Sequence, residues 1–302
     1  MHIMFLGTGA MVPTKQRNVS SVLLEYKGEF ILFDCGEGTQ RQMNLAGYNR
    51  TKVTKVLLTH WHGDHVSGLI GLIQTIGNVP EPGELLVIGP QGTEKHMHHL
   101  LNSAIFDPRL TITIQEVYPE KPEVVYEAAD YEILAAAVEH TVPTIAYAFK
   151  EKDARRVDTE KAAALGIPQG LLLGKLSQGS SVEHEGRVIT PQQVTYIQKG
   201  RKVAYVMDTA MHQNAIQIAE EATVLICEST FSAEQHQEKA DEYGHLSARD
   251  AAMIARHANA KQLVITHFSQ RYTTSTPLLE EAQETFTNTI AAYDFMKLAV
   301  QR

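Results

Sequence analysis

Val56-Leu57-Leu58-Thr59-His60-Trp61-His62-Gly63-Asp64-His65 joins an apolar run to four potential metal ligands within six residues. Neutral imidazoles and a carboxylate suit a borderline cation such as zinc, and a strand end followed by a tight loop aims them at one small volume. Gly63 is expected to let that loop turn closely between ligand pairs. The stretch sets two expectations together: a strand that ends at a site, and a hydrolytic metal centre at that end.

The same arrangement recurs three times. His140 follows Ala135-Ala136-Ala137-Val138, Asp208 follows Val203-Ala204-Tyr205-Val206-Met207, and His267 follows Leu263-Val264-Ile265-Thr266. Strand ends at one sheet edge can converge, so seven ligands are expected around a pair of ions. His60, His62 and His140 would hold one ion and Asp64, His65 and His267 the other. Asp208 would bridge them, because a carboxylate offers two oxygens. Two ions about 3.5 to 4 Å apart acidify a shared water and stabilise both oxygens of a phosphoryl displacement. Zinc is the expected metal, two per subunit, and manganese or iron fits the same nitrogen and oxygen set.

Around these ligands the chain reads as α+β. Strands are expected at Ile3–Leu6, Ser21–Tyr26, Phe30–Phe33, Val53–Thr59, Leu85–Ile88, Leu110–Glu116, Tyr131–Val138, Ile145–Phe149, Val203–Met207, Val224–Cys227, Leu263–Thr266 and Ile290–Phe295. Helices are expected at Gly38–Ala46, Val66–Ile76, Gln91–Leu101, Ala215–Glu221, Ala248–His257 and Leu278–Phe286. Many strands with interspersed helices and no strict βαβ rhythm imply two packed sheets with helices outside, residues 1–302 forming one domain. The glycine-rich stretch 151–198 interrupts this pattern and reads as an inserted arm.

The 302 residues are 43% hydrophobic, ample for a core, and the net charge of −8 excludes a uniformly basic nucleic-acid binder. The charge is uneven. From Lys150 to Lys202 ten Lys or Arg face six Asp or Glu, a local +4, so the remainder carries −12. Cys35 and Cys227 make no disulfide framework, which suits a reducing cytoplasm, and both read as small buried thiols. The start, His2-Ile3-Met4-Phe5-Leu6, is strand-like and reads as no export signal. No apolar run approaches the ~18 residues of a membrane span, so a soluble protein without membrane attachment is expected.

The chain resembles the metallo-β-lactamase superfamily and, within it, the ribonuclease Z family of precursor transfer RNA endonucleases. The resemblance runs through Phe5-Leu6-Gly7-Thr8-Gly9-Ala10, Arg17-Asn18, Phe33-Asp34-Cys35-Gly36-Glu37, the His60–His65 run, Gly89-Pro90 and Asp208-Thr209. It continues in Glu228-Ser229-Thr230-Phe231, His245, Thr266-His267-Phe268-Ser269-Gln270-Arg271-Tyr272 and Ala292-Tyr293-Asp294-Phe295. It implies an αββα four-layer sandwich with an inserted flexible arm, and zinc-dependent removal of the 3′ trailer from precursor tRNA. The products would be a 3′-hydroxyl on the tRNA and a 5′-phosphate on the trailer. The resemblance also makes Asp64 the proton acceptor for the attacking water and His245 the donor to the leaving ribose oxygen. Glu228 is expected to orient His245.

Phosphate contacts away from the scissile bond are expected from Arg155, Arg156, Lys161 and Lys175 on the arm. The family's arm grips the tRNA elbow from one subunit while the partner cuts, which implies a homodimer. Two positions depart from the family pattern: Gly170-Leu171 replaces a Gly-Pro pair in the arm, and Cys227 replaces a histidine. Ser269, Arg271 and Tyr272, just beyond His267, are candidates for phosphate contact near the cut. Rival readings are a small-molecule phosphodiesterase or thioesterase on the same scaffold, which needs no basic arm, and a catalytically silent RNA-binding member. Gly7-Thr8-Gly9 reads as a tight turn, His96, His98 and His99 as a solvated helix face, and Glu116, Glu120, Glu123 and Glu127 as solvated surface.

Overall fold

Two seven-stranded sheets pack face to face in the computed structural model, which describes residues 1–106 and 109–301. The first sheet has the order Lys297–Ala299, His2–Gly7, Ser21–Tyr26, Glu29–Phe33, Val53–Leu57, Glu84–Gly89 and Thr111–Glu116. The second runs Thr289–Ala291, Leu263–Thr266, Val224–Glu228, Lys202–Val206, Thr144–Glu151, Tyr131–Val138 and Glu123–Glu127. Each sheet combines antiparallel strands with a run of four parallel ones. Parallel strands bring all their C-terminal ends to one edge, where α/β sheets build their sites.

Alternation along the strands fills three layers of core. Ile3, Phe5, Phe33, Tyr147, Tyr205 and Ile226 meet between the sheets. Met4, Leu6, Leu32 and Val56 face the helices Thr39–Leu45, Leu69–Gly77 and Thr93–Leu101 on one outer side. Ala136, Ala146, Ala148 and Ala204 face Gln213–Ala219, Ala248–His257 and Thr276–Thr285 on the other. Strands buried on both faces read as continuous apolar runs, as these do. The result is the expected αββα sandwich. Across the sheets, the Ile145 amide donates to the Thr59 carbonyl at 2.9 Å and the Tyr147 hydroxyl to that of Leu58 at 2.9 Å, fixing the approach to His60.

The elements match the expected ones with informative exceptions. Val66–Ile76 is two helices, Gly63–Val66 and Leu69–Gly77, because the chain at Gly68 presses on Gly36: a Cβ on Gly68 would lie 2.2 Å from the Gly36 carbonyl oxygen. Gly63 is not the tight spot, since its Cβ would meet nothing nearer than the Ser67 hydroxyl at 3.4 Å. That role belongs to Gly36, whose Cβ would lie 2.2 Å from the Asp64 carbonyl oxygen. Ile290–Phe295 pairs only over Thr289–Ala291, after which Asp294 accepts hydrogen bonds from Thr8, Asn18 and Gln42. The helix Ala233–Tyr243 escapes a periodicity reading because Ala240 alone is buried in a charged sequence.

The stretch 151–198 is folded. Ala154–Val157 pairs antiparallel with Thr195–Gln198 as a two-stranded stem. Beyond it lie the helices Thr159–Ala164, Leu171–Ser177 and Pro191–Val194 and the hairpin of Val182–His184 with Arg187–Ile189. Ala162, Ile167, Leu176, Val182, Ile189 and Val194 form a small core of their own. Gly170 has φ 127°, a region that favours glycine, and Leu171 opens the next helix with its side chain in solvent.

Among the described residues no helix is long and apolar enough to cross a membrane. Gly7, at the end of the first strand, has no room for a side chain: a Cβ there would lie 1.8 Å from the Val19 carbonyl oxygen. Gly7→Ala is therefore expected to cost about 2 kcal/mol or more, read as a lower urea midpoint at unchanged slope. Gly83→Ala, with open space around it, should leave the midpoint where it is.

Candidate metal centre

Three side chains that close strands sit on left-handed backbone: Asp34 with φ 55°, Asp208 with φ 46° and His267 with φ 60°. Such a conformation costs a non-glycine residue about 1 kcal/mol and turns the side chain sharply out of the strand direction. Here it points carboxylates and an imidazole into the seam between the sheets. The seven expected ligands meet there. His60, His62 and His140 form one group, Asp64, His65 and His267 another, and His60, His65 and Asp208 a third, the ligand atoms in each lying within 4.8 Å of one another. Asp208 belongs between the first two: its Oδ2 is 2.6 Å from His65 Nε2 and 3.5 Å from His60 Nε2. Asp64 Oδ2 is 3.4 Å from His65 Nε2 and 3.6 Å from His267 Nε2.

The far nitrogens of four of these rings, His60, His65, His140 and His267, are held by protein groups. His65 Nδ1 lies 2.8 Å from Asp34 Oδ2 and donates to it, and His140 Nδ1 donates to the Gly244 carbonyl at 2.9 Å. Thr59 and Thr230 act as relays. The Thr59 hydroxyl donates to the Asp34 carboxylate at 3.0 Å and so accepts from His60 Nδ1 at 3.0 Å. The Thr230 hydroxyl donates to Glu228 Oε2 and accepts from His267 Nδ1 at 2.9 Å. Each contact places a proton on Nδ1 and turns Nε2 toward the seam as the atom that can hold a cation.

The Nε2 atoms of His60, His65 and His267 make no hydrogen bond in the protein, although that of His65 lies against Asp208. Among the described residues eight buried side-chain nitrogen or oxygen atoms lack a hydrogen bond, and five of them are His60 Nε2, His65 Nε2, His267 Nε2 and the two Asp208 oxygens. Buried polar groups are otherwise satisfied, so such a concentration fits a cation-binding set of nitrogen and oxygen donors.

The electrostatics agree. Burial pushes the His65 imidazole down, but Asp208, Asp34 and Asp64 outweigh it and hold the group well above the usual imidazole range. His60, fully buried and beside His65, lies well below it. Burial raises Asp64, but His65 and His267 more than reverse this. The seam therefore demands positive charge, which a proton or a cation can supply.

His245 stands beside the ligand set. Its Nδ1 is 3.0 Å from Glu228 Oε2 and 3.2 Å from Asp208 Oδ1. Burial acts to lower this imidazole, yet Glu228 foremost and Asp208 push it up to about 11. Glu228 is itself held, accepting the Thr209 amide at 2.8 Å. An open cleft of about 840 Å³ leads to these groups, lined by His62, His140, Asp208, His245, His267 and Arg271 among others.

Some expected residues lie elsewhere. Ser269 and Arg271 line the cleft, Arg271 Nε donating to Ser269 Oγ at 3.0 Å. Tyr272 is buried, its hydroxyl accepting the Ser232 amide at 2.8 Å, so it braces the wall from behind. Arg155, Arg156, Lys161 and Lys175 are all on the arm. Arg155 bonds Thr195, Arg156 bonds Gln198, and Lys161 pairs with Asp158. Cys35 and Cys227 are buried free thiols, Cys35 pushed up to about 12 by burial. His96 stacks on Trp61 at 5.0 Å, while His98 and His99 face solvent.

Sequence reasoning assigned no role to Asp34, Thr59 or Thr230. A usable signal existed for Asp34, which closes the apolar strand Glu29–Phe33 just as Asp208 closes its own.

The metallo-beta-lactamase superfamily model matches residues 14–127. Ribonuclease Z of Methanothermobacter thermautotrophicus is 41% identical over 302 residues, covering 100% of this chain and 97% of the relative. Ribonuclease Z of Haloferax volcanii is 39% identical over 305 residues, covering 99% and 95%. The crystal structure of human tRNase Z, short form, superimposes with a TM-score of 0.72 at 25% identity over 100% of both chains.

Asp34→Asn is expected to weaken metal binding about 10- to 100-fold by loosening His65 and His60. Chelator competition measures this, and unchanged affinity would show that Asp34 serves folding alone.

Proposed function

The chain belongs to the ribonuclease Z family of the metallo-β-lactamase superfamily and is a metal-dependent endoribonuclease, and on that premise we propose that it removes the 3′ trailer from precursor tRNA, leaving a 3′-hydroxyl on the tRNA and a 5′-phosphate on the trailer. The observation that carries this reading is the meeting of seven ligand side chains with a carboxylate-held imidazole, His245, in one open cleft. A thioesterase or a silent binding protein has no evident need of that imidazole.

In this reading His60, His62, His140, Asp64, His65, His267 and Asp208 would hold a pair of zinc ions. Bound there, the pair supplies Lewis acidity and an acidified water. The protein's own groups do the rest. Asp64, also accepting the Met11 amide at 2.8 Å, takes the proton of the attacking water. His245 donates a proton to the ribose 3′ oxygen as the P–O3′ bond breaks. Glu228, 3.0 Å from His245 Nδ1, is the carboxylate that keeps the ring protonated for that transfer. Ser269 and Arg271 are suited to a phosphate oxygen at the cleft wall.

The arm, with Arg155, Arg156, Lys161 and Lys175, is proposed to grip the tRNA body away from the cut, in a homodimer where each arm serves the partner's cleft. A cytoplasmic setting accords with two buried free thiols.

Incubating the purified protein with a 3′-extended precursor tRNA, with and without chelator, and mapping the product end tests the reading. A discrete, chelator-sensitive cut beside the discriminator base is expected; random cleavage or none would overturn it. His245→Ala should slow that cut about 10²- to 10⁴-fold with metal content unchanged, and a loss of metal would make His245 structural instead. Ala154 and Gln198 face each other across the stem, so residues 155–197 can be replaced by a short turn. The deletion should weaken tRNA binding far more than hydrolysis of bis(p-nitrophenyl) phosphate, whereas equal loss of both would assign the arm to folding.

A further inference from the structure

A cleft floored by imidazoles and carboxylates has no structural need of apolar groups in water, yet it carries two. Met11 is 76% exposed and Tyr243 is 47% exposed, and among the described residues they are the exposed large apolar side chains that line it. Each is tied to a different reacting group: the Met11 amide donates to Asp64, and Tyr243 lies two residues before His245.

Tyr243 is held firmly. It ends the helix Ala233–Tyr243, and Gly244 follows with φ 65°. The Gly244 carbonyl accepts His140 Nδ1 at 2.9 Å, and a Cβ on Gly244 would stand 3.3 Å from that nitrogen. The phenol ring lies 6.4 Å from the Phe231 ring at 31°, and Phe231 in turn carries the Arg271 guanidinium 4.9 Å from its centroid. An exposed aromatic ring fixed by its own backbone and backed by a second ring is the kind of surface on which a nucleobase stacks, at little cost in side-chain freedom.

We propose that Tyr243 is the stacking platform for the base of the nucleotide whose 3′ oxygen leaves. This rests on the RNA-cleaving reading and deepens it. His245 serves the leaving oxygen, so its close neighbour Tyr243 falls on the tRNA side of the cut, and Met11, beside Asp64, falls on the side of the attacking water.

The test is a double-mutant cycle between protein and substrate. Wild type, Tyr243→Ala and Tyr243→Phe are assayed on a precursor carrying either a base or an abasic sugar at the nucleotide 5′ to the cut. Removing the base should cost the wild type roughly tenfold or more in kcat/KM, as expected for one stacked base. Tyr243→Ala should lose a similar factor on the intact precursor and little more on the abasic one, while Tyr243→Phe stays near wild type. Losses that multiply, or a Phe variant as impaired as the Ala variant, would overturn the platform. Fluorescence anisotropy with a short single-stranded RNA, with a base or abasic at each of the two positions flanking the cut, runs in parallel. If the wild type cuts no precursor, the nuclease reading falls, and the same cycle in RNA affinity still decides the platform: coupling at the 5′ position supports it and its absence overturns it.

Discussion

Buried negative charge has to be matched, and this molecule buries Asp34 and Asp208 in one seam between two sheets, with Asp64 partly buried beside them. Removing a lone carboxylate from water costs several kcal/mol, so such a seam persists only with positive charge in it. Imidazoles arranged around the carboxylates can take protons or share a cation. The Nε2 atoms of His60, His65 and His267, which make no hydrogen bond and turn to one volume, favour the cation. The left-handed backbone at Asp34, Asp208 and His267 is a local cost accepted for the same arrangement.

Geometry at the ligands is set one layer further out. Asp34 accepts from Thr59, His65 and Tyr205, so a single carboxylate reaches two imidazoles, one directly and one through a hydroxyl. Glu228 repeats the device on the opposite sheet, reaching His267 through Thr230 and His245 directly. A threonine that must donate to a carboxylate has only lone pairs left for the ring beside it, which decides the tautomer without any contact to the ion. The two sheets thus supply matching halves: a buried acid, a threonine and two histidines from each.

Much of this was legible in the chain. Most strands were visible as apolar runs because they are buried on both faces, whereas Glu123–Glu127 and Lys297–Ala299 are largely exposed and were not read; His140, Asp208 and His267 were visible because each closes such a run. The helix Ala248–His257 was read to the residue, its Ser247 cap and alanine face leaving no alternative. What escaped has physical reasons. Ala233–Tyr243 buries almost nothing, so it has no period to read. The break at Gly68 follows from contact with Gly36, thirty-two residues away, which no local window contains. Tyr272 looked like a phosphate ligand by position, but its orientation is fixed by Ser232 and His236 across the fold. The arm looked irregular because its core is only a handful of side chains spread over short elements.

That arm also bears on how such a protein can change over time. Its apolar residues pack on one another, and it leaves the sandwich through a pair of strands whose first rung is Ala154 opposite Gln198. Insertions or deletions beyond that rung leave the ligand-bearing seam untouched. Mutation can therefore reshape which molecules are captured while the chemistry stays under separate selection, and the two traits can drift at different rates within one gene.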